Sequence, residues 1–210
     1  KDLVFFEVPM IKIQGKIPAE VGVAVSGGVD SMAVLDFLRR NHDVTAYCFD
    51  HGTEYGRKAG ELVRAYCVQH NVPLRYGVIS QAERPKGKSW EEHWRDERYA
   101  WFKAQPDQIV MAHHLDDCAE EWAFSACHST EFRTIPYRHA NVFRPFRLNR
   151  KAEFVRWAER HGVPWLEDPS NHDPATKFTR TFIRLFLLPN MLRVNPGLHT
   201  VVKKSMLNIE

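Results

Sequence analysis

Residues 21–31 read Val-Gly-Val-Ala-Val-Ser-Gly-Gly-Val-Asp-Ser, a complete strand–turn–helix transition in eleven positions. The apolar, β-branched run 21–25 predicts a buried strand. From Ser31 to Arg40 the period changes, with Met32, Leu35 and Leu38 on one helical stripe. Between the two lies Ser26-Gly27-Gly28-Val29-Asp30-Ser31. Two glycines let the backbone turn sharply and come close to a ligand. The N-terminus of the following helix then points free N–H groups into the turn, which favours phosphate. Ser26 and Ser31 add hydroxyl donors. No Lys follows, so the G-x-x-x-x-G-K-S/T loop and its γ-phosphate grip are absent. A Gly-Gly turn of this kind also serves as a plain tight connection, and the turn alone leaves both readings open.

Working outward, 44–49, 74–79 and 109–112 read as further strands. Residues 57–70, with Leu62, Ala65 and Tyr66 inward, read as helix, as do 90–104 and 116–127. The polar stretch 81–88, with Pro85 and Gly87, is a loop. Strands alternating with helices predict an α/β fold, a doubly wound parallel sheet covered on both faces. Residues 1–13 alternate weakly and suggest an added edge strand. Beyond residue 132 the rhythm changes. Short strands fit within 135–147, and Asn149 is placed to cap a helix running to His161, stopped by Gly162 and Pro164. Residues 165–175 read as loop, and 176–191 as a last helix interrupted at Pro189. The expected division is a nucleotide-binding domain over 1–147 and a basic, mainly helical extension over 148–210.

Composition narrows the class. With 210 residues, 44% hydrophobic and 26% charged, the chain is that of a globular protein. No apolar run approaches the roughly eighteen residues of a membrane span, so no membrane role is expected. The first residues lack the pattern of a signal peptide, and the absence of an initial Met suggests a trimmed N-terminus. Cys48, Cys67, Cys118 and Cys127 form no C-x-x-C pair, which argues against a zinc knuckle or an iron–sulfur cluster and for reduced thiols in the cytoplasm. Residues 1–132 hold 15 Lys+Arg against 20 Asp+Glu, a net of −5, whereas 133–210 hold 14 against 6, a net of +8. A basic last third is either a solvated face or the footprint of an anionic partner, nucleic acid being the commonest.

The second chemical cluster is His113-His114-Leu115-Asp116-Asp117-Cys118-Ala119-Glu120-Glu121, where strand 109–112 runs into its helix. Ligands in open α/β sheets bind at the carboxyl ends of strands, so the position suits chemistry. Asp116 and Glu120 share a helix face, as do Asp117 and Glu121, and like charges at that spacing cost roughly 0.2–0.5 kcal/mol per pair. Acids in a first turn answer the helix dipole. That covers Asp116 and Asp117 but not the two glutamates, and a bound cation or ammonium would offset all four. The order is not H-E-x-x-H, which argues against a zinc protease. Arg95 and Arg98 lie three apart on one helix, Arg180 and Arg184 four apart on another, and each pair can present two guanidinium forks to phosphate. Trp90, Trp94 and Trp101, with His93 beside them, either stack on a splayed base or pack as a core stripe; their helical spacing favours the core.

SGGVDS at 26–31 resembles the loop of the N-type ATP pyrophosphatases, the PP-loop superfamily. Residues 113–120 resemble the HHxDDxxE signature of the tRNA(Ile)-lysidine synthetase family, and five further stretches match that family in the same order. Glu91, Arg95, Arg98 and Tyr99 fit its E-x-x-x-R-x-x-R-Y segment. Asp50-His51-Gly52 fits the His-Gly pair after the second strand. Arg144-Pro145-Phe146, Glu167-Asp168-Pro169-Ser170-Asn171 and Arg180 to Arg184, ending in Pro189, are similar to its downstream blocks. The sequence departs from the family where Ala126-Cys127-His128-Ser129 stands in place of an L-x-R-G element, in a shortened stretch, and where Thr181 stands for Asn. The family's further C-terminal tRNA-binding domains are not seen.

The resemblance implies a carbon–nitrogen ligase. The C2 oxygen of cytidine 34 in an isoleucine tRNA attacks the α-phosphorus of ATP and releases pyrophosphate. Free lysine, the co-substrate, then attacks C2 and expels AMP. It implies ATP binding by Ser26, Gly27, Gly28, Val29, Asp30, Ser31 and His51, and catalysis by Asp30, His113, Asp116, Asp117 and Glu120. It implies Mg2+ on Asp30 and Asp117, and tRNA contacts by Arg95, Arg98, Tyr99, Arg180 and Arg184. Two other classes fit the same motifs: a PP-loop enzyme modifying another base or using another nucleophile, such as a tRNA thiolase, and a non-catalytic relic that binds RNA or nucleotide.

Overall fold

In the computed structural model, which describes residues 11–79, 83–129, 133–169 and 179–209, the apolar run at 21–25 becomes the middle of a sheet. β1 (Glu20–Ala24) pairs in parallel with β2 (Asp43–Asp50) on one side and with β4 (Ile109–Val110) on the other. β3 (Leu74–Val78) extends the sheet beyond β2, and β6 (Val142–Phe143) extends it beyond β4, both in parallel. β5 (Arg138–His139) closes the far edge as the antiparallel partner of β6. The resulting order, β3-β2-β1-β4-β6-β5, reverses its winding between β1 and β4. In such sheets the crevice for a ligand opens at the carboxyl ends of the two strands flanking the reversal.

The period of two along each strand sorts side chains between two cores. Val21 and Val23 of β1, Val44, Ala46 and Cys48 of β2, and Val110 of β4 face one side. There α1 (Val29–Leu38), α2 (Glu54–Gln69) and α5 (Lys151–His161) contribute Met32, Leu35, Val63, Tyr66, Phe154 and Ala158. Ala24, Tyr47 and Ile109 face the other side, where α3 (Trp90–Lys103) covers them with Phe102, Tyr99 and Trp101. The doubly wound sheet expected from the βα rhythm is therefore present. A third cluster lies off the sheet. In it α4 (Leu115–His128) meets α6 (Thr179–Phe182), the π-helical segment Ile183–Leu187, α7 (Leu188–Val194) and α8 (Leu198–Ile209).

Several expectations need correcting. On α2 the buried stripe is Ala59, Gly60, Val63, Tyr66 and Cys67, while Ala65 is exposed. On α3 the buried side chains are His93 and Phe102, and Trp90 is 41% exposed. Only Trp101 packs as the spacing suggested, edge-on to Tyr47 at 5.7 Å. Trp90 opens the helix and packs on Trp94 and His93. Asn149 does not cap α5. It is fully buried and bridges to Lys12, donating to its carbonyl and accepting from its N–H, each at 2.7 Å. Arg150 takes the cap position instead. The helix read over 176–191 begins at Thr179 among the described residues, and Pro189 does not break it. The π segment just before it widens the turn, with the Leu188 N–H bonding to the Ile183 carbonyl, and makes room for a residue that lacks a donor and crowds the carbonyl four back. Helix α8 has no counterpart in the sequence reading. The proposed edge strand falls mostly on residues outside the described ones, and residues 11–13 carry no strand.

Away from the crevice one polar knot ties three helices. Asp36 of α1, 1% exposed, accepts hydrogen bonds from the Tyr66 hydroxyl (2.7 Å), Trp157 Nε1 (2.9 Å), Arg39 Nε (3.0 Å) and Arg40 Nε (3.0 Å). Burial by itself would raise its pKa, but these four donors hold it below the usual aspartate value. Asp36→Ala removes the acceptor and leaves buried donors behind, so urea unfolding is expected to show a loss of about 3–5 kcal/mol. A loss under about 1 kcal/mol would mean that α1, α2 and α5 are held by apolar packing alone.

Candidate active site

The turn after β1 is built as a phosphate cradle. Gly27 sits at φ +80°, and a Cβ there would lie 2.9 Å from the Ala59 side chain, so this position accepts only glycine. Gly28 precedes α1 with no side-chain cap, which leaves the first N–H groups of the helix open to the crevice. Ser31 braces the turn from within: its Oγ donates to the Gly28 carbonyl at 3.0 Å, accepts from the Ser26 N–H at 3.1 Å and lies 3.2 Å from the Ser26 Oγ. The Leu166 N–H reaches the Gly27 carbonyl at 2.9 Å, and the Tyr55 hydroxyl holds the Leu166 carbonyl at 3.3 Å. The stretch before Glu167 and Asp168 is thereby laid against the turn. Ser170 and Asn171 lie outside the described residues.

Across the reversal point stands the start of α4. His114, with a side chain only 4% exposed, lies between carboxylates: Nε2 is 3.5 Å from Asp30, and Nδ1 is 3.3 Å from Asp117 and 3.7 Å from Asp116. Burial disfavours the imidazolium, but Asp117, Asp30 and Asp116 together raise its pKa to about 9. In this geometry Nδ1 accepts the Asp117 backbone N–H at 3.3 Å as the cap of α4, and the surrounding carboxylates favour adding a proton to the ring. Asp116 is committed elsewhere. It accepts from Arg150 Nε at 3.1 Å, from the first backbone N–H of α5 at 2.8 Å and from His199 of α8 at 3.1 Å. These donors outweigh burial and lower its pKa. Glu120 is buried and held by both edges of Arg184, at 2.6 and 2.8 Å, and Glu121 pairs with Arg180. For Glu120 burial outweighs the guanidinium, and its pKa is raised.

Arg180 and Arg184 both pair with acids of α4, and each keeps about a third of its side chain exposed. Each of the four acids of that helix has its partner: His114 for Asp117, Arg150 and His199 for Asp116, Arg184 for Glu120 and Arg180 for Glu121. Three arginines of the basic last third, Arg150, Arg180 and Arg184, thus serve as electrostatic partners of the acidic first part.

On the β4–β6 side, Arg144 is 3% exposed and its contacts are with neutral groups. Nε donates to His113 Nδ1 at 3.2 Å, Nη1 to the Pro136 carbonyl at 3.0 Å and Nη2 to the Tyr99 hydroxyl at 2.7 Å. His113 stays neutral, because burial and the charges of Arg144 and Arg98 push its pKa well down. With Nδ1 accepting, its proton sits on Nε2. Arg98 has a buried Nε without a hydrogen-bond partner, and burial with the nearby Arg95 and Arg144 lowers its pKa. Such an uncompensated guanidinium suits an incoming anion. A hollow of about 260 Å³ beside it is lined by Arg95, Asp96, Tyr99, Pro136, His139 and Arg144. His51 follows β2 at the same edge, neutral, with a pKa lowered to about 4 by burial and Arg98 and a buried Nδ1 left unpartnered.

The fold thus gathers Ser26 to Ser31, His113 to Glu120, His51 and Arg98 at the carboxyl edge. Arg95 and Tyr99 line the adjoining hollow. Sequence reasoning passed over His114 as a site residue, and it quoted Arg144 only as part of a motif. Arg144 directly follows β6 and His114 caps α4 at the end of the β4–α4 connection, and those positions at the crevice are the signal that would have found them. Among the described residues no group of three or more His, Cys, Asp and Glu is arranged to hold a metal. One oxygen of Asp30, Oδ1, is nevertheless buried without a partner. An orphan acceptor beside a phosphate cradle fits a cation whose remaining ligands come from the bound phosphates.

A glycine-cradled helix N-terminus at the reversal point of a parallel sheet defines a nucleotide-phosphate site on an α/β fold. The family model of the PP-loop domain matches residues 9–191, and the chain belongs to that family. Curated relatives include the tRNA(Ile)-lysidine synthase of Thermotoga sp. (strain RQ2), 32% identical over 196 residues, covering 86% of this chain and 47% of the relative. That of Porphyromonas gingivalis (strain ATCC 33277) is 30% identical over 204 residues, covering 90% and 44%. The chain spans about half the length of these relatives. The fold is also that of the U34-tRNA thiolase NcsA of Methanococcus maripaludis, solved with its 4Fe–4S cluster, with a TM-score of 0.67 at 14% identity, covering 92% of this chain and 73% of that one.

The charge state of His114 generates a pH dependence. Its folded pKa, about 9, lies above the ordinary value of 6.5. Its contribution to stability is therefore complete below about pH 6.5 and is lost as the pH rises through about 9. The shift corresponds to an upper bound of about 3 kcal/mol. Urea midpoints are expected to fall between pH 7 and pH 10 in the parent chain, and to fall distinctly less in His114→Gln. Equal slopes would show that the imidazolium has no role in holding the three aspartates.

Proposed function

We propose that this chain forms the ATP-handling catalytic part of an RNA-modifying ligase, one that joins the amine of free lysine to C2 of a cytidine in the anticodon loop of an isoleucine tRNA. The single observation that carries it is the cradle of Ser26 to Ser31 facing His113, His114, Asp117 and Glu120 across one crevice. The family and the names of the relatives support the same reading. In it ATP is cleaved between its α- and β-phosphates. The residues after 147 extend the catalytic unit, α5 bracing α1 and residues 179–209 bracing α4, and the protein works in the cytoplasm.

The open N–H groups of α1 and the hydroxyls of Ser26 and Ser31 hold the departing pyrophosphate. Asp30 and Asp117 would hold Mg2+, which when bound neutralises charge on the phosphates. His113 presents Nε2–H as a donor, steadied by Arg144, toward charge developing on the base or the α-phosphate. Attack by the C2 oxygen forms the bond to phosphorus and breaks the bond to pyrophosphate. Attack by the amine then forms the carbon–nitrogen bond and expels AMP. Asp117 and Glu120 orient the ammonium of lysine before it loses its proton, with Glu120 shared with Arg184. Arg98, Arg95 and Tyr99 take up the RNA backbone beside the hollow. Arg180 and Arg184 reach a phosphate only by giving up their bridges to α4.

Turnover with tRNA and lysine is expected to yield AMP and pyrophosphate, read by chromatography of labelled ATP. ADP and orthophosphate as main products would refute the reading. Glu120→Gln is expected to lower incorporation of labelled lysine by about tenfold or more while leaving ATP affinity within about twofold. Incorporation at the parent rate would remove Glu120 from the amine site.

A further inference from the structure

A row of aromatic rings leads from the second core to the surface beside the crevice. Trp101 lies 5.5 Å from Phe49, Phe49 lies 5.1 Å from His51, His51 lies 5.7 Å from Trp94, and Trp94 lies 5.6 Å from Trp90. The last two pairs are tilted by only 36° and 35°, closer to a stack than to an edge-on contact. The inner rings are partly buried, whereas Trp90 is 41% exposed. Helix capping does not explain it: Ser89 and Glu92 form the capping box by themselves, and Trp90 is simply the first residue inside. Nor does the core need it, since α3 is anchored through His93 and Phe102. The guanidinium of Arg84 lies 5.6 Å over the Trp90 ring, and Arg95 and Arg98 follow on the same helix. Glu91 and Glu92 stand beside the ring in the first turn, so its surroundings are of mixed charge. A partly exposed indole of this kind suits the flat face of an unpaired base more than a phosphate.

We propose that Trp90 and Trp94 form a stacking platform for an unpaired base of the RNA substrate, next to the base that reacts. The proposal rests on the RNA-modifying reading above and extends it to a second nucleotide. His51, the inner rung, lies at the end of β2 close to the phosphate cradle, so the row links the ATP side of the crevice to its RNA side. A stacked neighbour keeps the reacting base splayed out of its loop, which chemistry at C2 requires. Stacking releases no counterions, so it adds affinity without adding salt dependence.

The test measures binding of a small RNA hairpin with an unpaired anticodon-type loop to the parent chain, Trp90→Ala and Trp90→Phe over a range of salt. The affinity for ATP is measured in parallel. Trp90→Ala is expected to weaken hairpin binding by about 5-fold to 150-fold, the range of one base–aromatic stack. The slope of log K against log salt and the ATP affinity are expected to stay unchanged, and Trp90→Phe to recover most of the loss. Parent-like hairpin affinity in Trp90→Ala overturns the platform while leaving the RNA-modifying reading intact. A loss of ATP affinity instead assigns the ring to the adenine and also overturns it. If the parent chain binds no hairpin, the RNA reading itself falls, and the platform with it.

Discussion

The structure depends on the neutralisation of one helix. Four carboxylates crowd the first two turns of α4, and the helix dipole can answer only those at its start. Each acid is met by a cation or donor from a different element: His114 from the strand–helix junction, Arg150 and the first N–H of α5, His199 of α8, and Arg184 and Arg180 on the helix that contains the π segment. These contacts fix the helices beyond the sheet in place. They also leave Asp117 and the orphan oxygen of Asp30 facing the crevice around His114. The same pairs that assemble the last third of the chain thus set the electrostatics of the site.

The sheet was readable from the sequence because a buried parallel strand and its crossover helix leave strong periodic marks. Val21 and Val23 face one core and Ala24 the other, and Gly27 supplies the left-handed backbone that the turn between strand and helix requires. The motifs of the site were readable for the same reason: they sit on the junctions that the topology brings together. Spacing identified which residues gather at the crevice. It did not reveal the direction in which the long side chains point.

That limit explains the misreadings. An arginine pair four apart is equally compatible with phosphate outside and carboxylate inside, and only the placement of α4 decides between them. The tryptophans at 90, 94 and 101 share a stripe, but Trp90, at the start of the helix, packs on Trp94 and His93 and stays 41% exposed. Pro189 looks like a helix end by local chemistry, and a widened turn one residue earlier removes the conflict. Asn149 has the chemistry of a cap but is taken up by Lys12, a partner 137 residues away that no local window contains.

The contact between His199 and Asp116 ties the order of synthesis to the appearance of the site. A growing chain can lay down the parallel strands once residue 143 has left the ribosome, and the glycine turn is then already shaped. The acids of α4 still lack Arg150, Arg184 and His199 at that moment and repel one another. The nascent domain therefore passes through an interval in which the sheet is formed and the crevice is over-charged. The set of partners is complete only once His199 has joined α4, so the crevice acquires its balanced charge after the sheet that carries it.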